Sequence, residues 1–163
     1  MKQLLLILLC FQLAACSVPV KPRFAFFENV VIDQNTGITW AQNANLPGKP
    51  LVSSGDNSIY EYLTRLNASH YANYDDWRVP TKEELEQMLE YAKLLGYKEA
   101  NHDTWPYKRL RQLGFLDVRN DQYWSSTRSS PDEMFTADMT NGKVAARSEE
   151  KKFYLWPVRG RGR

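Results

Sequence analysis

The chain has 163 residues, of which 43% are hydrophobic and 25% are charged, with 8 Gly and 8 Pro. This composition is typical of one globular domain and excludes a mainly disordered chain, a collagen-like chain and a polytopic membrane protein. The formal net charge of +2 provides no global attraction to nucleic acid, so we expect no nucleic-acid partner. Aromatic residues make up 13% of the chain, which indicates either a wide, irregular core or a contact surface.

Residues 1–15 are typical of a secretory signal. A lysine at position 2 precedes an unbroken apolar run at 4–9, which is shorter than the roughly 20 residues that span a bilayer. The run ends in LAAC at residues 13–16, which resembles a bacterial lipobox. This resemblance implies removal of residues 1–15 and acylation of Cys16. The alternative is an ordinary signal peptide cut near Ala15.

Lipidation at Cys16 has consequences for chemistry and location. The only other cysteine is Cys10, inside the signal, so the mature chain is expected to lack thiol catalysis, Cys-ligated zinc and redox roles. Two or three acyl chains anchor a protein stably to a membrane. Ser17 follows the cysteine, which by similarity to Gram-negative sorting signals favours the outer membrane of the cell envelope. Residues 16–23 then form a short tether that spans roughly 20 Å if extended.

The first half of the domain, which we expect over residues 24–160, alternates strand and helix patterns. Apolar and β-branched residues at 24–33, a turn string at 33–37 and a resumed β pattern at 38–41 predict an N-terminal hairpin. Residues 43–55 are rich in Pro and Gly and predict a loop. Apolar residues at helical spacing predict a helix over about 58–67, capped by Asp56 or Asn57.

A second helix has a clear start. Thr81 and Glu84 have the spacing of a capping box. In this motif the hydroxyl and the carboxylate each accept a hydrogen bond from a backbone N–H that has no partner within the helix. An apolar stripe follows, and Gly96 predicts the end of the helix. Residues 97–120 show a mixed pattern with at most a short helix near 107–113.

Strands return in the last third of the chain. They are predicted at 123–127, 134–139, 143–147 and 153–159, with the Asn141-Gly142 dipeptide as a hairpin turn. Pro157 places the final strand at an edge or a bulge. The order of elements predicts the α+β class, with an N-terminal hairpin, two helices and an antiparallel sheet of C-terminal strands.

Four strings resemble one family in the right order. They are TGITWAQ at 36–42, DWRVPTKEEL at 76–85, YWSST at 123–127 and WPVRG at 156–160. These strings are similar to those of the Lcl C-terminal domain family, named for the Legionella collagen-like adhesin. The resemblance implies a C-type-lectin-like fold and an adhesin that binds sulfated glycosaminoglycans. This chain differs from the namesake because it has no collagen-like repeats.

The motif residues themselves predict scaffold more than ligand contact. Asp76 and Arg78 flank Trp77 and are candidates for a buried ion pair, which is costly unless it is well hydrogen-bonded. The hydroxyls of the YWSST string are expected to bind neighbouring backbone. We therefore expect these motifs to build the fold.

The sequence provides little for metal binding or catalysis. His70 and His102 are the only histidines, so a zinc site is not expected. Oxygen ligands for calcium are available at 75–76, 101–103 and 120–121, but no calcium-dependent sugar-binding signature accompanies them. No G-x-S-x-G element is present, and the acidic residues concentrate on the solvent face of the second helix. We expect no metal, no cofactor and no enzymatic activity.

The remaining feature is a basic C-terminal third. From residue 139 onward seven basic residues stand against Glu149 and Glu150, a balance of 7 − 2 = +5. The candidate polyanion-binding residues are Lys143, Arg147, Lys151, Lys152 and Arg159. Lys143 and Arg147 have the same strand parity and are expected on one face. Alternatively these residues are simply solvated, or the basic tail at 161–163 meets anionic lipid headgroups near the anchor.

Two hypotheses for function follow. The first is a lipid-anchored, non-enzymatic recognition or adhesion module whose basic third binds acidic glycans. The second is a structural lipoprotein that docks on an envelope protein through an aromatic surface. A contiguous exposed apolar patch would favour the second.

Overall fold

The computed structural model describes residues 22–97 and 105–160. The predicted signal, Cys16, most of the tether and the tail at 161–163 lie outside the described residues, so the signal and lipidation stay predictions. Within the described ranges, no helix has the length and apolar character needed to cross a membrane.

The first sheet joins both ends of the domain. It contains β1 (Phe24–Phe27), β2 (Val30–Asp33), β3 (Thr39–Ala41) and β7 (Val158–Arg159), in that order and all antiparallel. The segment predicted as one strand over 24–33 is therefore two strands. A two-residue turn separates them, with Asn29 at φ 65°, a left-handed conformation that asparagine tolerates better than most residues.

The turn predicted at 33–37 connects β2 to β3. The Gly37 amide donates to the Asp33 carbonyl at 2.7 Å, and Gly37 has φ 77°. A glycine is favoured at such a positive φ because it has no Cβ to clash.

Three helices follow the first strands: α1 (Ile59–Ala68), α2 (Lys82–Tyr97) and α3 (Pro106–Leu113). A short 3₁₀ turn (Tyr71–Asn73) lies between α1 and α2. The cap of α1 differs from the prediction. Ser58, and neither Asp56 nor Asn57, is the N-cap, because its hydroxyl accepts from the Glu61 amide at 3.3 Å.

The predicted capping box of α2 is confirmed. The Glu84 amide donates to Thr81 Oγ1 at 3.3 Å, and the Thr81 amide donates to Glu84 Oε2 at 2.9 Å. The helix continues through Gly96 to Tyr97, so Gly96 does not end it. The short helix expected near 107–113 is α3, with Pro106 in its first turn.

The second sheet has the antiparallel order β4 (Gln122–Ser130), β5 (Glu133–Asp138) and β6 (Val144–Ser148). The last strand, predicted over 153–159, was expected in this sheet, and the structure divides it. Tyr154 exchanges backbone hydrogen bonds of 2.9 Å with Gln122 and Trp124 of β4, whereas β7 pairs with β3 of the first sheet.

Pro157 directly precedes β7, and its carbonyl accepts from the Ala41 amide at 2.9 Å. A proline has no amide hydrogen but keeps its carbonyl acceptor. Pro157 therefore fits directly before β7, which is the last strand in the order of the first sheet.

The aromatic residues mainly build the core. Four of the five tryptophans are at most 2% exposed, namely Trp40, Trp77, Trp124 and Trp156. The indole N–H of Trp156 donates to the Ala41 carbonyl and that of Trp124 to the Leu51 carbonyl, each at 2.8 Å. Most tryptophans are thus buried, and further aromatic side chains pack partly buried against the core. The fold is α+β with three helices and two antiparallel sheets among the described residues.

Candidate functional site

Three of the four sequence motifs meet around Arg78. Its Nη1 and Nη2 donate to the two carboxylate oxygens of Glu84 at 2.8 and 2.7 Å. Its Nε and Nη2 also donate to the Gly160 carbonyl at 3.1 and 2.7 Å. The expected pairing of Asp76 with Arg78 is wrong, because the guanidinium turns toward the start of α2 and Asp76 binds Arg159 instead.

The YWSST string contacts the same region through its backbone and hydroxyls. The Ser126 amide donates to the Pro80 carbonyl at 2.7 Å, and Thr127 Oγ1 accepts from the Lys82 amide at 3.1 Å. These hydroxyls bind neighbouring backbone, as predicted. The contacts of the motifs are therefore structural, and candidate binding residues have to be sought on other surfaces.

Lys143 and Arg147 lie along the edge of the second sheet. Lys143 is exposed at the β5–β6 turn, where Lys93 Nζ also donates to the Gly142 carbonyl at 2.7 Å. Arg147 lies on β6 opposite Met134, and Ala145 lies opposite Thr136. The Asp138 amide bonds to the Lys143 carbonyl, so the pairing extends to Lys143 and places both side chains on one face, as predicted.

Lys151 and Lys152 are exposed in the loop after β6. Lys152 lines a shallow cavity of about 240 Å³ together with Lys49, Asp56 and Asn57. Leu51 and Phe153 exchange backbone hydrogen bonds of 2.8 and 3.0 Å, which brings the two lysines together. No sequence pattern indicated Lys49, because it is far from Lys152 along the chain and lies in a loop.

Arg159 lies on the other sheet. Its Nε and Nη2 bond to the Asp76 carboxylate at 2.6 and 3.2 Å, and its guanidinium lies 3.8 Å from the ring centroid of Tyr74. The structure thus brings four of the five candidate residues to β6 and the segments flanking it. It holds the fifth in an ion pair on β7.

Acidic residues interrupt the basic surface near β6. Glu149 forms an ion pair of 2.6 Å with Arg128. Asp132, Glu149 and Glu150 line a cavity of about 270 Å³. Acidic side chains therefore lie directly beside Lys151 and Lys152, an arrangement that the summed charge of the C-terminal third does not reveal.

Metal-binding groups are sparse in the part of the chain that the structure describes. No group of three or more His, Cys, Asp or Glu side chains there is arranged to hold a metal ion. His70 is exposed between α1 and the 3₁₀ turn. His102 and the oxygens at 101–103 lie outside the described residues.

Comparison with known proteins gives one clear result. A search of curated protein sequences found no match. The model of the Lcl C-terminal domain family, by contrast, matches residues 29–159. This span includes both sheets and all three helices, apart from β1, and nearly all of the motif residues. Because the match covers most of the chain, the protein belongs to the Lcl C-terminal domain family.

Proposed function

We propose that the protein is a lipid-anchored, non-enzymatic recognition and adhesion module of the outer membrane that binds acidic glycans. Membership in the Lcl C-terminal domain family supports an adhesin-like domain. The glycan-binding residues in this proposal are Lys143, Arg147, Lys151 and Lys152, with Lys49 added from the shared cavity.

The observation that carries the proposal is the availability of these lysines. Lys143, Lys151 and Lys152 are exposed, and within the described residues none of their ammonium groups has an ion-pair partner. Unpaired cations can bind sulfate or carboxylate groups without first breaking an internal salt bridge. Arg159 contributes least, because Asp76 already neutralises its charge.

The anchor belongs to the same proposal. Arg23, the second described residue, forms a two-bond ion pair with Asp33, whose side chain is only 2% exposed. Arg23 is therefore fixed against β2 of the first sheet. Lipid on Cys16 would then hold the domain within roughly 20 Å of the bilayer.

The test is chromatography of the full chain, purified in detergent, on immobilised heparin with a salt gradient. We expect the parent protein to stay bound above physiological salt concentration. The triple variant Lys143→Ala/Arg147→Ala/Lys151→Ala is expected to elute at a lower salt concentration than the parent. A charge-matched control, Arg65→Ala/Lys82→Ala/Arg119→Ala, removes three cations that are already paired and is expected to elute close to the parent. Flow-through of the parent at low salt, or equal losses in both variants, contradicts the proposal.

The second hypothesis has one observation in its favour. The side chains of Phe26 and Leu116 are 38% and 52% exposed, and Phe26 packs on Phe115, the neighbour of Leu116. A small apolar patch of this kind suits an envelope protein partner. Loss of chemical crosslinking to a membrane protein on Leu116→Ser, with heparin retention absent in the parent, would favour docking over glycan binding.

A further inference from the structure

A groove lies between the β1–β2 turn and the 3₁₀ turn, and none of the lysine and arginine residues of the proposed glycan site lines it. It has a volume of about 460 Å³ and is lined by residues 27–30, Ile32 and 72–74. This volume is in the range of small-molecule sites in proteins, which is about 300–1,000 Å³. We call it the β1–β2 groove.

The wall formed by the 3₁₀ turn is fixed by partly buried hydrogen bonds. The Trp77 indole N–H donates to the Tyr71 carbonyl at 3.0 Å, and Asn67 makes two hydrogen bonds of 2.8 and 2.9 Å to the Trp77 backbone. The Tyr71 hydroxyl reaches the Asn29 carbonyl across the groove at 3.5 Å. The wall formed by the 3₁₀ turn is therefore held in position before any ligand arrives.

The same wall contains strained backbone. Ala72 has φ 54° and ψ 30°, and Asn73 has φ 65°. The left-handed conformation costs an alanine roughly 1–2 kcal/mol. Such strain persists only where the surrounding contacts impose it, and it concentrates at sites that clamp a ligand.

The groove presents exposed polar side chains that have no internal partner in the described part of the chain, beside an exposed aromatic ring. The Phe27 side chain is 56% exposed. Within the described residues, the side chains of Glu28, Asn29 and Asn73 make no hydrogen bond. Among the residues that line the groove, Glu28 is the only charged one, and the nearby Arg159 is neutralised by Asp76.

We infer that the β1–β2 groove binds an uncharged saccharide, as a site separate from the lysines proposed for acidic glycans. The Phe27 ring covers the apolar face of a pyranose, and the amides of Asn29 and Asn73 bind its hydroxyls, since an amide both donates and accepts. The Glu28 carboxylate accepts hydrogen bonds from further sugar hydroxyls, and its negative charge repels sulfated or uronic sugars.

The test is saturation-transfer NMR of the full chain with cellobiose, lactose and N,N′-diacetylchitobiose. We expect at least one disaccharide to receive saturation and its affinity to fall roughly tenfold in Phe27→Ala, the loss of one stacked ring. Asn73→Gly removes the side-chain amide while keeping the positive φ, and is expected to lower the affinity for the same disaccharide.

The matched control is Phe26→Ala, which removes the neighbouring ring on the opposite face of β1 and should leave binding unchanged. Absence of saturation transfer to all three sugars, or equal affinities for the parent and Phe27→Ala, overturns the inference. Heparin retention is measured on the same variants and is expected to be unchanged, which separates a failure of this site from a failure of the proposed function.

Discussion

Arg78 and Glu84 form a two-bond ion pair that joins a sequence motif to the first turn of α2. Both carboxylate oxygens of Glu84 accept from the guanidinium, and Oε2 also accepts the Thr81 amide. The same guanidinium holds the Gly160 carbonyl at the end of β7. One arginine therefore connects the helix cap, the first sheet and the end of the described chain.

The first prediction concerns this arginine. Arg78→Lys keeps the charge but not the paired N–H geometry, so we expect a loss of about 1–2 kcal/mol in the free energy of unfolding. Arg78→Ala should cost about 2–3 kcal/mol, because it leaves the nearly buried Glu84 without its partner. Urea unfolding followed by tryptophan fluorescence measures both.

The control for this prediction is Arg65→Ala, which breaks an exposed ion pair on α1. It should change the unfolding free energy by less than about 1 kcal/mol. Equal losses in Arg65→Ala and Arg78→Ala would show that the Arg78 network does not stabilise the fold.

The second prediction separates Arg159 from the lysines. Arg159→Ala and Lys152→Ala remove one positive charge each, yet only Lys152→Ala should lower the salt concentration at which the chain leaves heparin. Arg159 is already bound to Asp76 and covers the Tyr74 ring, so its removal should instead lower the midpoint of thermal unfolding. Earlier elution of Arg159→Ala than of Lys152→Ala would contradict the assignment of Lys152 to heparin binding and of Arg159 to the stability of the fold.

The third prediction concerns the strained wall of the β1–β2 groove. Ala72→Gly should stabilise the protein by about 0.5–1 kcal/mol, because glycine adopts the positive φ without a steric penalty and this gain exceeds its larger loss of backbone entropy. Ala68→Gly, the same exchange at the last residue of α1, is the matched control and should destabilise by up to about 1 kcal/mol. Chemical denaturation of the two variants decides the matter, and destabilisation by Ala72→Gly would argue against strain.

The fourth prediction is a pH dependence at the start of α1. The Asn57 amide donates to the Glu61 carboxylate at 2.6 Å, and this bond, with the Arg65 guanidinium, holds the pKa of Glu61 below its ordinary value. A carboxyl whose pKa is lower when folded stabilises the protein above its unfolded pKa, and this stabilisation is lost as the pH falls through the folded pKa. The difference in unfolding free energy between the parent and Glu61→Gln should therefore be present at pH 7 and shrink below about pH 4.

The experiment is a series of urea titrations of the two proteins from pH 7 to pH 3. Glu150→Gln is a suitable control, because this exposed carboxylate accepts no hydrogen bond among the described residues. A constant difference between parent and Glu61→Gln across the series would contradict the lowered pKa.

Local features were predictable because their determinants lie a few residues apart. The spacing of Thr81 and Glu84 predicted the α2 cap, and the Asn141-Gly142 dipeptide predicted the turn before β6. The turn at 28–29 was missed because Glu-Asn is a weaker turn signal than the Asp-to-Gly string at 33–37. The α1 cap was misassigned by one or two positions because Asp56, Asn57 and Ser58 all suit an N-cap.

The candidate sites were predictable only in part. Charge counting found Lys143, Arg147, Lys151 and Lys152, but it could not find that Lys49 lines the same cavity as Lys152. The β1–β2 groove gave no sequence signal, because its walls come from two segments about 45 residues apart and its strained residue is an alanine.

By itself, the sequence determined the family, the α+β class and the start of α2, since these depend on motif strings and local spacing. Whether the many aromatic residues lie in the core was left open by composition and was decided by the packing. Only the tertiary structure decided the partners of Arg78 and Arg159, the transfer of β7 to the first sheet and the separation of Arg159 from the lysines. The reason is physical. An ion pair or a strand pairing between distant residues is selected by which surfaces the packed core brings within about 3 Å, and composition carries no record of that distance.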